Sequence, residues 1–167
     1  KATFFVLGNT ISKNQDILKR IVEEGHSIGN HSYSHRREII YKNSSSLMSE
    51  VEKTSNLIKE ATGRVMNLFR PPYGSPYIRS ESYQQALKDY KVVLWNVDSN
   101  DSRVKDIKAD EIYKNVVAQV ANKRSAIILF HETKAETVKA LPRVIDYLIS
   151  SGFEIKPIVE DTVISYK

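Results

Sequence analysis

The sequence predicts an α/β fold in which parallel β-strands alternate with helices. Short apolar runs recur along the chain, and segments with a helical apolar face separate them. Polar residues follow several of the apolar runs, where the strands would end. Repeated strand–helix units imply parallel strands with helices outside the sheet. This pattern is compatible with either an α/β barrel or an open doubly wound sheet.

The first half of the chain contains three predicted strands, at Ala2–Leu7, His26–Asn30 and Asn67–Arg70. A helix is predicted between the first two, because apolar residues at 17, 18, 21 and 22 share one face and Gly25 suits its end. A longer helix is predicted over Ser44–Gly63, where apolar residues again recur at helical spacing.

The second half repeats the alternation. Helices are predicted at Ser80–Asp89, Ala109–Asn122 and Glu136–Ser151, and strands at Lys91–Val97, Ser125–His131 and Phe153–Ile158. The total is six strands with a helix between each consecutive pair. The sequence contains no repeat, linker or low-complexity tract, so residues 1–167 are predicted to form one domain.

Composition excludes several classes of function. The chain has 167 residues and no cysteine, which rules out disulfides, thiolate metal sites and a cysteine nucleophile. No apolar run approaches the roughly 20 residues of a membrane-spanning helix. The net charge of +5 suits nucleic acid, anionic lipid or an acidic polymer such as a cell wall, although most of the basic residues are interpreted as solvated helix faces. Nucleic acid is not an expected partner, because the basic residues are dispersed and no recognition motif appears.

Two histidines four residues apart, His31 and His35, follow the second predicted strand. On a helical turn this spacing would place both imidazoles on one side, within reach of one metal ion. The spacing alone favours the alternative of two solvent-facing histidines in a polar loop. His26 has no such partner and is interpreted as structural.

Further polar residues follow the later predicted strands. Arg70 and Tyr73 lie in a proline-rich loop that would hold their side chains in place, although a rigid loop with a surface arginine explains the same residues. Asp98 or Asp101 could hydrogen-bond a histidine, or could serve only a turn. His131 ends an apolar strand, a suitable position for a general acid or base or simply for a strand cap.

Four of these segments together resemble a known family. HSYSH (His31–His35), RPPY (Arg70–Tyr73), DSNDS (Asp98–Ser102) and LFH (Leu129–His131) resemble, in order, motifs two to five of the polysaccharide deacetylases, the NodB-homology or carbohydrate esterase family 4 domains. KATFFVLG at the start and GFEIKPI near the end resemble the flanking segments. The resemblance implies a distorted (β/α)7-type barrel that here lacks its first strand and helix.

The resemblance also implies a metal centre. His31 and His35 would be metal ligands, with zinc as the expected divalent ion, and Arg70 would orient the catalytic base. The family's first motif, Thr-Phe-Asp-Asp-Gly, carries that base and the third metal ligand, and it does not occur in these residues. We expect a fragment of a larger deacetylase. The alternatives are a second chain that completes the barrel and a degenerate relative that only binds.

The remaining implied roles concern substrate and proton transfer. His131 would be the general acid, and Asp101 would tune it. Tyr73 would help to form the oxyanion site, and Leu129 would line the pocket for the acetyl methyl group. Ser102 stands where the family usually has tryptophan, so one aromatic wall of the sugar groove is absent at that position.

The expected function is therefore metal-dependent removal of N-acetyl groups from a cell-wall amino sugar polymer, with peptidoglycan as the expected substrate. A secreted or cell-envelope location in a bacterium is expected, with any signal or anchor outside this chain. A non-catalytic carbohydrate-binding relative of the same fold is the alternative. An unrelated α/β domain with accidental motifs is a third possibility.

Overall fold

The computed structural model describes residues 1–164, whose strands form two separate parallel sheets. The chain divides into two compact units. The first contains Lys1–Leu94 and Lys156–Thr162, and the second contains Trp95–Ile155 together with residues 163–164. Every strand pairing in both sheets is parallel, as the alternation of strands and helices predicts.

The first unit is built on a four-stranded sheet. Its strands lie in chain order: β1 (Thr3–Val6), β2 (Ser27–Asn30), β3 (Leu68–Phe69) and β4 (Lys91–Val92). Its helices are α1 (Gly8–Ile11), α2 (Gln15–Glu23), α3 (Arg37–Ile40), α4 (Ser44–Thr62) and α5 (Glu81–Ala86), with a 3₁₀ turn at Ser75–Ile78. The register aligns Val6, Asn30 and Phe69, so neighbouring strands end together at one edge.

Helix α4 packs its buried face into the core of the first unit. That face consists of Leu47, Glu50, Val51, Thr54 and Ile58, at the spacing of an amphipathic helix. Leu47, Val51 and Ile58 are fully buried in two apolar clusters. A carboxylate and a hydroxyl therefore interrupt an otherwise apolar stripe, and both need hydrogen-bond partners.

The second unit contains two short parallel strands and two helices. These are β5 (Val97–Asp98), α6 (Ala109–Val120), β6 (Ile128–Leu129) and α7 (Ala135–Ser150). Its main apolar cluster is formed by Val97, Val116, Val120, Val144 and Leu148. The helices lie where the apolar periodicity predicts them.

The strand predicted over Lys91–Val97 is wrong as a single element. Lys91–Val92 pairs with β3 in the first unit, whereas Val97–Asp98 pairs with β6 in the second. Two features end the first piece. Pro71, which would donate to the Val93 carbonyl in the parallel ladder, has no N–H, and the Arg70 side chain takes that carbonyl instead. Its Nε donates to the Val93 carbonyl at 3.2 Å and its Nη2 to the Leu94 carbonyl at 3.4 Å. A guanidinium thus takes carbonyls that a longer strand would offer to its neighbour.

The strand predicted at Phe153–Ile158 is also wrong, since no strand is present there in the described chain. Pro157 has no backbone N–H to contribute to a ladder. Side chains hold the following residues instead. The Ile158 N–H donates to Thr3 Oγ1 at 2.7 Å, and Lys91 Nζ donates to the carbonyls of Glu160 and Thr162. The six observed strands are therefore not the six predicted ones.

Among the described helices, none is both long enough and apolar enough to cross a membrane.

Candidate active site

The first cluster of predicted site residues lies at the carboxyl end of the first unit's sheet. His31 directly follows β2, and the centroids of the His31 and His35 rings are 5.0 Å apart. The two histidines lie in a loop before α3, so a helical turn is not what brings them together. Their convergence comes from the backbone, because Ser32 and His35 adopt left-handed φ values of 71° and 56°.

A backbone carbonyl fixes the orientation of the His31 ring. His31 Nδ1 lies 2.6 Å from the Arg70 carbonyl oxygen. A carbonyl can only accept a hydrogen bond, so Nδ1 carries the proton and the lone pair of the neutral ring is on Nε2. Metal-binding histidines are commonly held in this way by a hydrogen bond from their other ring nitrogen.

Glu50 on α4 anchors the loop that carries His31 and His35. Its Oε2 accepts hydrogen bonds from the Tyr33 N–H at 3.1 Å, the Ser34 N–H at 2.7 Å and Ser34 Oγ at 2.9 Å. Glu50 is only 9% exposed. Sequence reasoning missed this residue. Its position three residues after Leu47, within the apolar stripe of α4, is the signal that could have identified a buried carboxylate.

Asn30 and the first residues of α1 also hold this loop through hydrogen bonds. Asn30 Oδ1 accepts from the Ser32 N–H at 2.9 Å, and Asn30 Nδ2 donates to the Val51 carbonyl at 2.7 Å. The N–H groups of Gly8 and Asn9 donate to the carbonyls of Ser32 and Tyr33, each at 3.0 Å. A Cβ on Gly8 would lie 2.6 Å from the Tyr33 ring, so this approach requires glycine.

Arg70 and Tyr73, predicted from the RPPY segment, lie in the same unit but differ in exposure. Arg70 is 8% exposed, and its guanidinium carbon lies 4.2 Å from the centre of the Phe5 ring. Tyr73 is half exposed, its hydroxyl donates to the His35 carbonyl at 2.9 Å, and the two ring centroids are 4.9 Å apart. Arg70 is thus a buried support, whereas Tyr73 covers one side of His35.

The second unit holds the other predicted site residues, Asp101 and His131. Asp101 Oδ1 lies 2.7 Å from His131 Nδ1, and Asp101 Oδ2 accepts from the His131 N–H at 2.6 Å and from Thr137 Oγ1 at 2.7 Å. The Asp101 side chain is fully buried, whereas that of His131 is 38% exposed. The carboxylate therefore accepts from three donors and fixes a ring that is partly exposed. Sequence reasoning missed Thr137.

The second unit contains two further candidate residues, Asp98 and Leu129. Asp98, the alternative partner for a histidine, pairs instead with Arg103 at 3.0 Å, and its Oδ1 accepts from the Asn100 N–H at 2.9 Å. Leu129 is the last residue of β6 and is 8% exposed. Its proposed contact with an acetyl methyl group stays a prediction.

The hydrogen bond between Asp101 and His131 shifts the pKa of both groups. It raises the pKa of His131, helped by the negative charge of Asp101 and opposed by burial of the ring. Burial alone would raise the pKa of Asp101, but the hydrogen bonds from His131 and Thr137 together outweigh burial and lower it. His131 thus holds its proton at higher pH than an ordinary histidine, as a general acid requires.

These shifts predict how stability depends on pH. The raised pKa of His131 contributes stability fully below its unfolded value of about 6.5, and this contribution is lost as the pH rises through the folded pKa. The lowered pKa of Asp101 contributes stability above about 3.8, lost as the pH falls through its folded pKa. We expect the free energy of unfolding lost on Asp101→Asn substitution to be larger at pH 5.5 than at pH 8.5.

Urea unfolding of both proteins across this range measures that difference. The pKa of His26 is lowered by burial and by the nearby positive charge of Lys1, so its effect on the pH dependence of stability is opposite to that of His131. This effect is the same in wild type and Asp101→Asn and cancels when the two are compared. A difference between wild type and variant that does not change with pH would contradict the prediction.

The spacing of the two histidine rings is compatible with two ligand positions of a zinc site. Zinc bonded tetrahedrally to two imidazole nitrogens at about 2.0–2.1 Å would place the ring centroids about 5 Å apart, close to the 5.0 Å observed. Within residues 1–164, no group of three or more histidine, cysteine, aspartate or glutamate side chains is placed to hold a metal. The described residues therefore supply a partial donor set.

Comparison with known proteins decides the family. The family profile described as polysaccharide deacetylase matches residues 1–95, more than half of the chain. The chain belongs to the polysaccharide deacetylase family. This excludes an unrelated α/β domain with accidental motifs.

Individual polysaccharide deacetylases resemble the chain over nearly its whole length. A protein named peptidoglycan-N-acetylglucosamine deacetylase from Bacillus cereus is 33% identical, over 97% of this chain and 61% of its own length. The crystal structure of a polysaccharide deacetylase from the same species superposes with a TM-score of 0.89 at 30% identity, covering 98% of this chain and 81% of that one. The α/β fold class is confirmed. The chain spans about three fifths of the first relative's length.

A structural neighbour of different character is a carbohydrate esterase family 4 pseudoenzyme from Bacillus anthracis. It superposes with a TM-score of 0.79 at 27% identity, covering 91% of this chain and 52% of that one. The polysaccharide deacetylase fold therefore occurs both in enzymes and in a protein described as a pseudoenzyme.

Proposed function

We propose that this chain belongs to a metal-dependent peptidoglycan N-deacetylase, which hydrolyses N-acetyl groups on the amino sugars of the glycan. The observation that carries the proposal is that the rings of His31 and His35 lie close together, with the lone pair of the neutral His31 ring on Nε2. The relative named peptidoglycan-N-acetylglucosamine deacetylase supports this choice of substrate. A location at the cell envelope follows from that substrate.

His31 and His35 would hold the metal, with zinc as the expected ion because two neutral imidazoles suit it. When bound, such a metal polarises the acetyl carbonyl and activates water. The family's aspartate base and aspartate ligand do not occur among these residues. In the proposal, Arg70 positions that base, and the backbone of Tyr73 faces the carbonyl oxygen.

His131 would donate its Nε2 proton to the nitrogen of the leaving amine as the amide C–N bond breaks. Asp101 holds Nδ1 protonated and stabilises the charged ring before transfer. Thr137 keeps Asp101 in place through its hydroxyl. Leu129 would contact the acetyl methyl group.

Metal dependence tests the proposal. With the aspartate base and aspartate ligand supplied by a segment or second chain that carries the family's first motif, we expect acetate release from peptidoglycan to stop on treatment with a chelator and to return on addition of zinc. Zinc affinity, measured by calorimetry, should fall at least about 100-fold in His31→Ala and in His35→Ala, because losing a ligand costs more than the 10- to 100-fold loss of an outer partner. His26→Gln, which changes a structural histidine, is the matched control.

A non-catalytic carbohydrate-binding protein is the second candidate, favoured by the similarity to the pseudoenzyme from Bacillus anthracis. It predicts saccharide binding that persists in chelator, without acetate release under any metal condition. Measurement of binding and acetate release on the same preparation separates the two functions.

A further inference from the structure

A chain of aromatic rings extends from His35 across the surface of the first unit. The Tyr73 ring centroid lies 4.9 Å from that of His35 and 6.2 Å from that of Tyr77. Tyr77 in turn stacks on Tyr41 at 4.7 Å with an angle of 16° between the rings. Tyr41 is fixed by its hydroxyl, which donates to the Pro72 carbonyl at 2.7 Å. The rings thus form a connected and anchored surface beside the candidate metal ligands.

Arg37 lies at the outer end of this surface. Its guanidinium carbon is 4.8 Å from the centre of the Tyr77 ring, a cation–π contact that restrains an otherwise flexible side chain. Arg37 is two residues after His35, so their Cα atoms are at most about 7 Å apart. The Arg37 guanidinium is therefore connected to His35 through the rings of Tyr77 and Tyr73.

The charge of Arg37 is not neutralised by a carboxylate within residues 1–164, whereas that of its neighbour is. Arg36 pairs with Glu38 at 2.6 Å, whereas the Arg37 guanidinium packs on the Tyr77 ring. Both arginines are exposed. Packing on an aromatic face leaves the planar donors at the edge of a guanidinium directed outward, where they can bind a carboxylate with two hydrogen bonds.

We propose that Arg37, Tyr77 and Tyr73 form a subsite for an acidic sugar, in which Arg37 binds a carboxylate on the glycan next to the N-acetyl group that is removed. Half-exposed Tyr73 presents an aromatic face on which a sugar ring can stack. The inference rests on the proposed deacetylase function and adds a charge preference to it. Carboxylates are available in peptidoglycan from the lactyl group of muramic acid and from stem peptides, and neutral polymers of N-acetylglucosamine have none.

Binding and turnover of three glycans by the full chain test this subsite. The glycans are a neutral oligomer of N-acetylglucosamine, a peptide-free peptidoglycan oligomer with lactyl carboxylates, and the same oligomer with its stem peptides. We expect Arg37→Gln to weaken binding of at least one acidic glycan about five- to tenfold, with less than a twofold change for the neutral oligomer. The loss should shrink as salt is raised.

Arg36→Gln is the matched control, because it removes the same charge from the adjacent residue, whose guanidinium pairs with Glu38. The weakened glycan identifies the carboxylate: loss for the peptide-free oligomer assigns the lactyl group, and loss only for the peptide-bearing oligomer assigns the stem. Equal loss for the neutral oligomer, an equal effect of Arg36→Gln, or no effect of Arg37→Gln would overturn the subsite.

The binding measurement also separates this inference from the proposed function. Arg37-dependent preference for an acidic glycan without acetate release would support the subsite and contradict the deacetylase function. Acetate release at equal rates from acidic and neutral glycans, unchanged in Arg37→Gln, would support the deacetylase function and overturn the subsite.

Discussion

Replacing His131 with alanine is expected to slow acetate release from peptidoglycan by about 100- to 10,000-fold, the usual contribution of a positioned general acid. An amine is a poor leaving group until its nitrogen is protonated, and His131 is the proposed source of that proton. Its ring is held by Asp101 at 2.7 Å, and its pKa is raised by that hydrogen bond. Steady-state rates at saturating substrate measure the effect.

Two controls distinguish proton donation from a structural role of His131. His26→Gln changes a histidine whose Nδ1 accepts from the Ala2 N–H at 3.0 Å, and it should leave the rate within about twofold. Asp101→Asn should retain partial activity and move the basic limb of the pH profile to lower pH, because His131 loses the charge that raises its pKa. A His131→Ala protein with an undiminished rate would rule out the general acid.

The periodicity of apolar residues predicts the positions of helices, because each helix depends on its own segment of sequence. Helices α2 and α4 lie close to the predicted positions, because their apolar spacing is a property of each segment alone. The interruption of the apolar run at Lys91–Val97 is not local. It depends on residues more than twenty positions earlier: Pro71 has no N–H for the ladder, and the Arg70 side chain binds the carbonyls of Val93 and Leu94. The pattern of apolar residues within one short segment contains no information about a contact with a distant residue.

The candidate site was predictable to the extent that its residues follow strands. His31 follows β2 and Arg70 follows β3, so parallel topology alone brings them to one edge of the sheet. The supporting residues were not predictable in this way. Thr137 and Glu50 lie on helices, where a hydroxyl or carboxylate usually faces water, and neither follows a strand; for Glu50 the one sequence signal is its place in the apolar stripe of α4.

The second large effect is expected from Glu50→Leu. Leucine suits the apolar stripe of α4, but it leaves three donors, the N–H groups of Tyr33 and Ser34 and the Ser34 hydroxyl, without their acceptor. An unsatisfied buried donor costs about 1–3 kcal/mol, so we expect the free energy of unfolding to fall by about 2–4 kcal/mol after the apolar gain is counted. Urea unfolding measures this loss.

The same substitution should also weaken zinc binding by about 10- to 100-fold, because the loop that carries His31 and His35 loses its main anchor. Glu52→Leu is the matched control, since Glu52 is exposed on the same helix and its replacement should change stability by no more than about 0.5 kcal/mol. Glu50→Gln, which keeps one acceptor oxygen, should fall between the two. If Glu50→Leu lowered stability while zinc affinity stayed unchanged, the anchor would serve the fold alone. If the three variants were equally stable, the buried carboxylate would not hold the loop at all.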